Sequence, residues 1–208
     1  MQDVELLQAW RRGDRAAGEE LFERHYPMVE RFFRNKATEP EELIQRTFLG
    51  CIDASVRFRG ESTFRAFLLG VATNALRDHY RRFLRHEGIE TLDAASMKDL
   101  GQTPSRVIAK KEQERLLLEG LRRLPVGLQL VLELRYWEDL DQEELAQILG
   151  LPRSTVNTRL RRARELLEKH VGELAASTEM LHSTITRLDD WVELQRQQRP
   201  AAPGERQG

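Results

Sequence analysis

Apolar residues recur at intervals of three and four along most of the chain, and the runs break at Gly, Pro and short polar stretches. That period predicts helices, first over 3–36 in two pieces divided near Gly13 and Asp14, with Leu7, Leu21, Phe22, Tyr26, Val29 and Phe33 as core. Pro27 should kink or divide the second piece, because proline lacks the N–H that an interior helical position donates. Pro40 suits the first turn of a helix to about Phe58, with Leu43, Ile44, Thr47, Phe48 and Cys51 on one side. After the polar loop 59–63, Phe64, Phe67, Leu68 and Val71 fall at core spacing in a helix to about His86. Strand signals are thin, with little β-branched alternation and no Asn-Gly turn, so the fold class is all-α.

From Glu87 to about Pro104 the pattern dissolves into small and polar residues, which divides the chain. The expected organisation is a helical domain over 1–86, a flexible linker over 87–104, a second helical domain over 105–172 and an extension over 173–208. The second domain resumes helical periodicity at about Ser105 and breaks at Pro125. In the extension, Leu181, Ile185, Leu188 and Val192 would line one side of a helix from Met180 to about Gln198. Such a stripe either packs on the second domain or acts as a lid over another surface. The end, from Arg199, has a disorder-prone composition.

The most telling local pattern lies at 141–164. Asp141 with Glu144 makes a capping-box start, Leu145, Ile148 and Leu149 form an apolar side, and Gly150-Leu-Pro152 stops the helix. In the next helix Val156, Leu160, Ala163 and Leu167 share the buried side. Arg153, Ser154, Thr155, Asn157, Thr158, Arg159, Arg161 and Arg162 are then the candidates to meet a ligand, with no acid between Arg153 and Arg164. Arginine on a helix is commonly just a solvated side. Here the capped first helix, the tight turn and the acid-free second helix together make a helix-turn-helix, which sets guanidinium and amide groups against base edges in a major groove.

Charge refines this picture. The formal net charge of −1 alone argues against a polyanionic partner. The arginines are segregated, however: seven lie between Arg57 and His86 and five between Arg153 and Arg164. Local fields decide where a polyanion docks. The stretch 56–82 interleaves arginine with aromatics around a glycine loop, the mixture used for single-stranded nucleic acid. Its apolar residues at core spacing need no such explanation, but the polar loop and the turn-spaced Asn74, Arg77, Arg81 and Arg82 do. Cys51 is the lone cysteine and the five histidines are scattered, so no metal site, cofactor site or internal disulfide is expected. No Ser/His/Asp order or phosphate-cradling glycine loop is present, and a catalytic role is not expected. No apolar run approaches the roughly 20 residues of a membrane span and no secretory signal opens the chain, so a cytoplasmic protein is expected.

With both basic surfaces in view, the chain resembles the sigma-70 family of bacterial transcription initiation factors, in its two-domain extracytoplasmic-function type. The first half is similar to region 2 over about 10–86, through Pro40-Glu-Glu-Leu-Ile-Gln-Arg-Thr-Phe48 and Phe58-Arg-Gly-Glu-Ser-Thr-Phe-Arg65. The second is similar to region 4 over about 112–171, through Leu121-Arg-Arg-Leu-Pro125, Leu134-Arg-Tyr136, Glu144-Leu-Ala-Gln-Ile-Leu-Gly-Leu-Pro152 and Thr155-Val-Asn-Thr-Arg-Leu-Arg-Arg-Ala-Arg164. The resemblance implies core RNA polymerase and promoter DNA as partners, and the expectation of an anti-sigma factor. It implies that Glu42, Leu43, Ile44, Gln45 and Phe48 dock on polymerase. Phe58, Arg59, Gly60, Glu61, Ser62 and Thr63 would capture a base flipped from the −10 element, with Asn74, Arg77 and Arg81 holding the adjoining strand. The 153–162 residues would read the −35 element as duplex.

The chain departs from the family pattern at three places. Arg46 stands where an acid is usual, Gly50-Cys51 replaces Arg-Ala, and Leu69-Gly70 replaces Tyr-Arg. The competing expectation is a stand-alone helix-turn-helix regulator, which would carry a ligand or receiver domain in place of the polymerase-docking half.

Overall fold

The computed structural model describes residues 1–34, 36–37, 39–55, 58, 62–86, 96 and 112–175. The described residues form eight α-helices and no strand, the one extended feature being an isolated bridge between Ser96 and Pro125. The rest of the expected linker, the expected helical residues 105–111 and the whole tail helix from Met180 lie outside the described residues.

α1 (Asp3–Arg11) ends at a turn in which Gly13 takes φ +99°, a left-handed conformation that glycine adopts without steric cost. Asp14 Oδ1 then accepts from Ala17 N at 3.2 Å and caps α2 (Arg15–Arg34). α2 is not divided at Pro27. Proline costs one backbone hydrogen bond, and both Pro27 and Glu23, the residue whose carbonyl loses its partner, lie on the exposed side where water can substitute. The expected core needs a correction as well: Tyr26 is exposed and Phe22 half-buried, while Leu6, Met28 and Phe32 are buried.

α3 (Pro40–Ser55) opens with Pro40, Glu41 and Glu42, a start suited to the positive end of the helix dipole. Its described residues end at Ser55, and the N–H of Phe58, outside the helix, donates to the Ser55 carbonyl at 3.2 Å. α4 (Phe64–His86) carries Phe64, Leu68, Leu69, Ala72, Leu76 and Tyr80 into the core made with α2 and α3. Each such fully buried large side chain contributes about 1.5–3 kcal/mol of hydrophobic free energy.

The second group of helices is α5 (Glu112–Arg122), α6 (Val126–Tyr136), α7 (Gln142–Leu149) and α8 (Arg153–Leu174). α8 packs against all three others. Its approach to α5 is close at Gly120, where an added Cβ would sit 2.8 Å from Val171 Cγ2. The two groups share one continuous hydrophobic core and touch through α4 and α7.

Candidate nucleic-acid interface

The helix-turn-helix is built from local signals. Asp141 Oδ1 accepts from Glu143 N at 2.7 Å and Glu144 N at 2.9 Å, while the Glu144 carboxylate accepts from Asp141 N at 3.0 Å. Both halves of the capping box are therefore made. Gly150 ends α7 at φ +65°, and Pro152 hands the chain directly to α8. Leu145 and Leu149 of α7 and Val156, Ala163 and Leu167 of α8 are buried, with Leu160 half-buried.

That seating turns Arg153, Ser154, Asn157, Thr158, Arg161 and Arg162 outward; all six are exposed, and Thr155 and Arg159 lie at the edge, half-buried. Thr158 donates its hydroxyl proton to the Ser154 carbonyl at 3.0 Å, which leaves its methyl and hydroxyl lone pairs facing outward. Arg153 reaches Glu143 at 3.3 Å and Arg161 reaches Glu165 at 3.9 Å, both on the surface and open to exchange for another anion. Arg164 instead lies over the Tyr136 ring at 5.1 Å and belongs to the packing of α8 on α6.

In the first half the expected strand-binding residues are brought only partly together. Phe58 packs its ring 4.6 Å from that of Phe67, which anchors the start of the loop. Arg59, Gly60 and Glu61 lie outside the described residues. Ser62 is half-buried, and Thr63 turns its hydroxyl to Ala66 N at 3.1 Å, capping α4. Asn74 and Arg81 are exposed on α4, Arg81 3.3 Å from Asp78. Arg77 points elsewhere: it donates to the Leu149 carbonyl in the last turn of α7 at 2.9 Å.

On α3 the structure turns Leu43 and Ile44 inward, where both are buried. The outward side carries Glu42, Gln45 and the half-buried Phe48, joined by Leu49, Ile52 and the Tyr26 ring stacked 6.1 Å from Phe48. Leu49, 54 % exposed, and Ile52 were legible as two apolar residues off the core-facing period. Arg46, at the usually acidic position, pairs back with Glu42 at 3.6 Å. Burial holds the nearby His79 below the usual histidine range; the positive charges of Arg46 and Arg82 push the same way and Glu42 opposes them. The histidine is thus neutral near pH 7 and adds no charge to this surface.

Two further features escaped the sequence reading. Arg11 of α1 donates to the carbonyls of both Ser55 and Phe58, so a residue far off in the chain holds the two ends of the segment leading into the loop. Glu138, between α6 and α7, is 4 % exposed and accepts from Arg31 at 3.1 Å and Arg65 at 2.5 Å. Among the described residues no group of three or more His, Cys, Asp or Glu could hold a metal, and no helix is long and apolar enough to cross a membrane.

Comparison with known proteins gives this geometry its family. Residues 21–85 match the family model for sigma-70 region 2, and residues 114–167 match that for sigma-70, region 4. The RNA polymerase sigma factor YlaC of Bacillus subtilis is 30% identical over 160 residues, covering 74% of this chain and 91% of that protein. The RNA polymerase sigma-H factor of Pseudomonas aeruginosa is 29% identical over 186 residues, covering 83% of this chain and 95% of that one. Among solved structures, CnrH in complex with the cytosolic domain of CnrY superposes with a TM-score of 0.62 at 24% identity, covering 83% of this chain and 99% of that one. The region 2 match disfavours a stand-alone regulator. With both regions matched in order, the chain belongs to the sigma-70 family of RNA polymerase sigma factors, in its extracytoplasmic-function branch.

Proposed function

We propose that this chain grips one promoter at two points, reading the −35 element as duplex with α8 and capturing the −10 element as a single strand beside α4. As a sigma factor it directs promoter-specific transcription initiation by RNA polymerase. The observation that carries the residue-level reading is the exposed Ser154, Asn157, Thr158, Arg161 and Arg162 side of α8, standing on a capped helix-turn-helix frame. Arginine there can bond guanine edges with two hydrogen bonds, and asparagine suits adenine.

In the first half, Phe58, the loop 59–63, Asn74, Arg77 and Arg81 are read as the strand-binding surface. Extruding a base costs a few kcal/mol, which a pocket and neighbouring cations offset. Glu42, Gln45, Phe48 and Leu49 are read as the polymerase-docking side of α3, with Tyr26 and Ile52 extending its apolar area. The solved relatives that carry CnrY and the anti-sigma factor NepR support an anti-sigma partner for this chain too. Its place of action is the cytoplasm, and its work is that of an initiation factor acting through polymerase and without chemistry of its own.

The test is affinity for −35 duplexes across sequence and salt. Replacing Arg161 or Arg162 by Ala should cost about 1–3 kcal/mol on the preferred sequence if the contact is to a base. A phosphate contact would instead weaken all sequences alike and flatten the salt dependence. No change in either quantity would remove α8 from the groove.

A further inference from the structure

The turn between α1 and α2 carries positive charge that the fold leaves unpaired. Arg11, Arg12, Gly13, Asp14, Arg15 and Ala16 are all exposed, three arginines against one carboxylate and no large apolar side chain. Asp14 Oδ1 accepts from Ala17 N, so that carboxylate serves the start of α2. Arg11 donates to the carbonyls of Ser55 and Phe58, which are neutral groups, so its charge is not cancelled. Arg12 and Arg15 make no ion pair or side-chain hydrogen bond among the described residues, although Glu19 follows Arg15 by one turn of α2.

Helix stability does not account for these charges. Arg15 opens α2, at the end of the helix dipole that repels cations, and no acid lies in that first turn. α3 and α7 begin in the opposite way, with Glu41 and Glu42 and with Glu143 and Glu144. An arginine so placed is relieved by an incoming anion. The turn is also rigid. The N–H groups of Arg12, Gly13 and Asp14 bond back to carbonyls in the last turn of α1 at 3.0, 2.9 and 3.1 Å. Gly18 of α2 lies so close to the Trp10 ring of α1 that an added Cβ would sit 2.5 Å from Trp10 Cδ1. On its outer side the turn is open, since a Cβ on Gly13 would meet nothing within 4 Å. Arg11 fixes its place: the bond to the Phe58 carbonyl sets the turn beside the residue that leads into the −10 loop.

We propose that Arg12 and Arg15 form a further DNA-binding site, which holds phosphates of the promoter strand next to the base captured at the −10 element. The inference rests on the single-strand reading of the first half given above. Both residues precede the span matched by the region 2 family model, 21–85. Phosphate suits this turn better than an acidic protein surface does, because the core of a protein interface is apolar and the turn offers no apolar area. Such contacts carry no sequence information; they lengthen the footprint and raise affinity while the loop selects the base.

The test uses holoenzyme, the full chain with core polymerase. The probe is a single-stranded oligonucleotide, the non-template strand of a start site that the chain directs, with flanking nucleotides on both sides of the −10 element. Each phosphate contact to a single strand contributes about 0.7 to the slope of log affinity against log salt. Arg12→Ala with Arg15→Ala should therefore flatten that slope by about 1.4 and weaken binding about 25-fold at about 0.1 M salt, a gap that closes toward about 1 M. Arg12→Lys with Arg15→Lys should recover most of the affinity, because lysine serves phosphate as a point charge. Trimming the strand to the −10 element alone should abolish the difference between the parent and the alanine variant. An unaltered slope and affinity on the flanked strand, or a difference that survives on the trimmed strand, would overturn the site. So would weakened binding to core polymerase with strand affinity of the assembled holoenzyme unchanged, which would make the turn a protein contact. Phe58→Ala scores the underlying reading separately. If it leaves binding of the trimmed strand unchanged, the single-strand reading fails; if it weakens that binding while the arginine pair changes nothing, only the further site fails.

Discussion

Asp141 holds together the element on which duplex reading depends, and its replacement gives a graded prediction. α7 has eight residues, too few to be stable as a helix by itself, so its first turn relies on the cap. Asp141→Ala removes the acceptor of two N–H bonds, at 2.7 and 2.9 Å, and a negative charge at the positive end of the helix. Loss of a cap costs about 1 kcal/mol, and loss of the charge about 0.3–1 kcal/mol more. The sum, roughly 1–2 kcal/mol, corresponds to a fall in Tm of about 2–8 °C for a chain of this size. Asp141→Asn keeps an acceptor and loses only the charge, so it should fall by about half as much or less, and salt should narrow its gap from the parent. Calorimetry at low and high salt measures both. Because α7 seats α8, affinity for −35 duplex should weaken by no more than about tenfold, the equivalent of about 1.4 kcal/mol. An Asp141→Ala protein that melts with the parent, or an Asp141→Asn protein that falls as far as the alanine variant, would refute the capping argument.

The remaining predictions concern the first half. Arg11→Ala should slow −10 strand opening by roughly tenfold, the worth of about one charge-assisted hydrogen bond, with −35 duplex affinity unchanged; equal loss of both would remove Arg11 from loop positioning. Burial pushes the Cys51 thiol up to about 12, so alkylation at pH 8 should proceed only as fast as the chain unfolds, and prompt labelling of the native protein would contradict its placement in the core. Burial alone would raise the Asp3 carboxyl, but the His25 hydrogen bond at 2.7 Å and the Arg24 pair at 2.8 Å outweigh it and hold the group below its ordinary value. Its folded pKa is thus the lower one, so the stability it contributes is fully present above the unfolded value near pH 4 and is lost as pH falls through the folded value. Asp3→Asn should melt below the parent at pH 6 and converge with it in strong acid; a gap that widens with acid would reverse the assignment.

What could be read from the residues alone was what local chemistry controls. Asp141 with Glu144, Gly150 and Pro152 announce α7 and α8 because caps and left-handed turns act within a few residues. The outward side of α8 followed from a 3.6-residue period with no acid interrupting it. Tyr26 failed because periodicity gives a helix side its direction only to within a residue or so, and Tyr26 falls at the rim of the buried arc. Leu43 and Ile44 carry a motif that the family shares, but a motif does not say which of its members face inward. The contacts of Arg11, and of Glu138 with Arg31 and Arg65, join residues more than 40 positions apart, and no spacing rule reaches that far. Pro27 does not divide α2, because its cost depends on whether the orphaned carbonyl meets water, which only the packing decides.

The most direct measurement is transcription in vitro: core RNA polymerase with and without this chain, on a library of genomic promoters, reading the 5′ ends of the transcripts. Addition of the chain should concentrate initiation at a discrete set of sites that share paired −35 and −10 sequences, and Arg161→Ala should disperse them. Start sites that do not change when the chain is added would contradict the account.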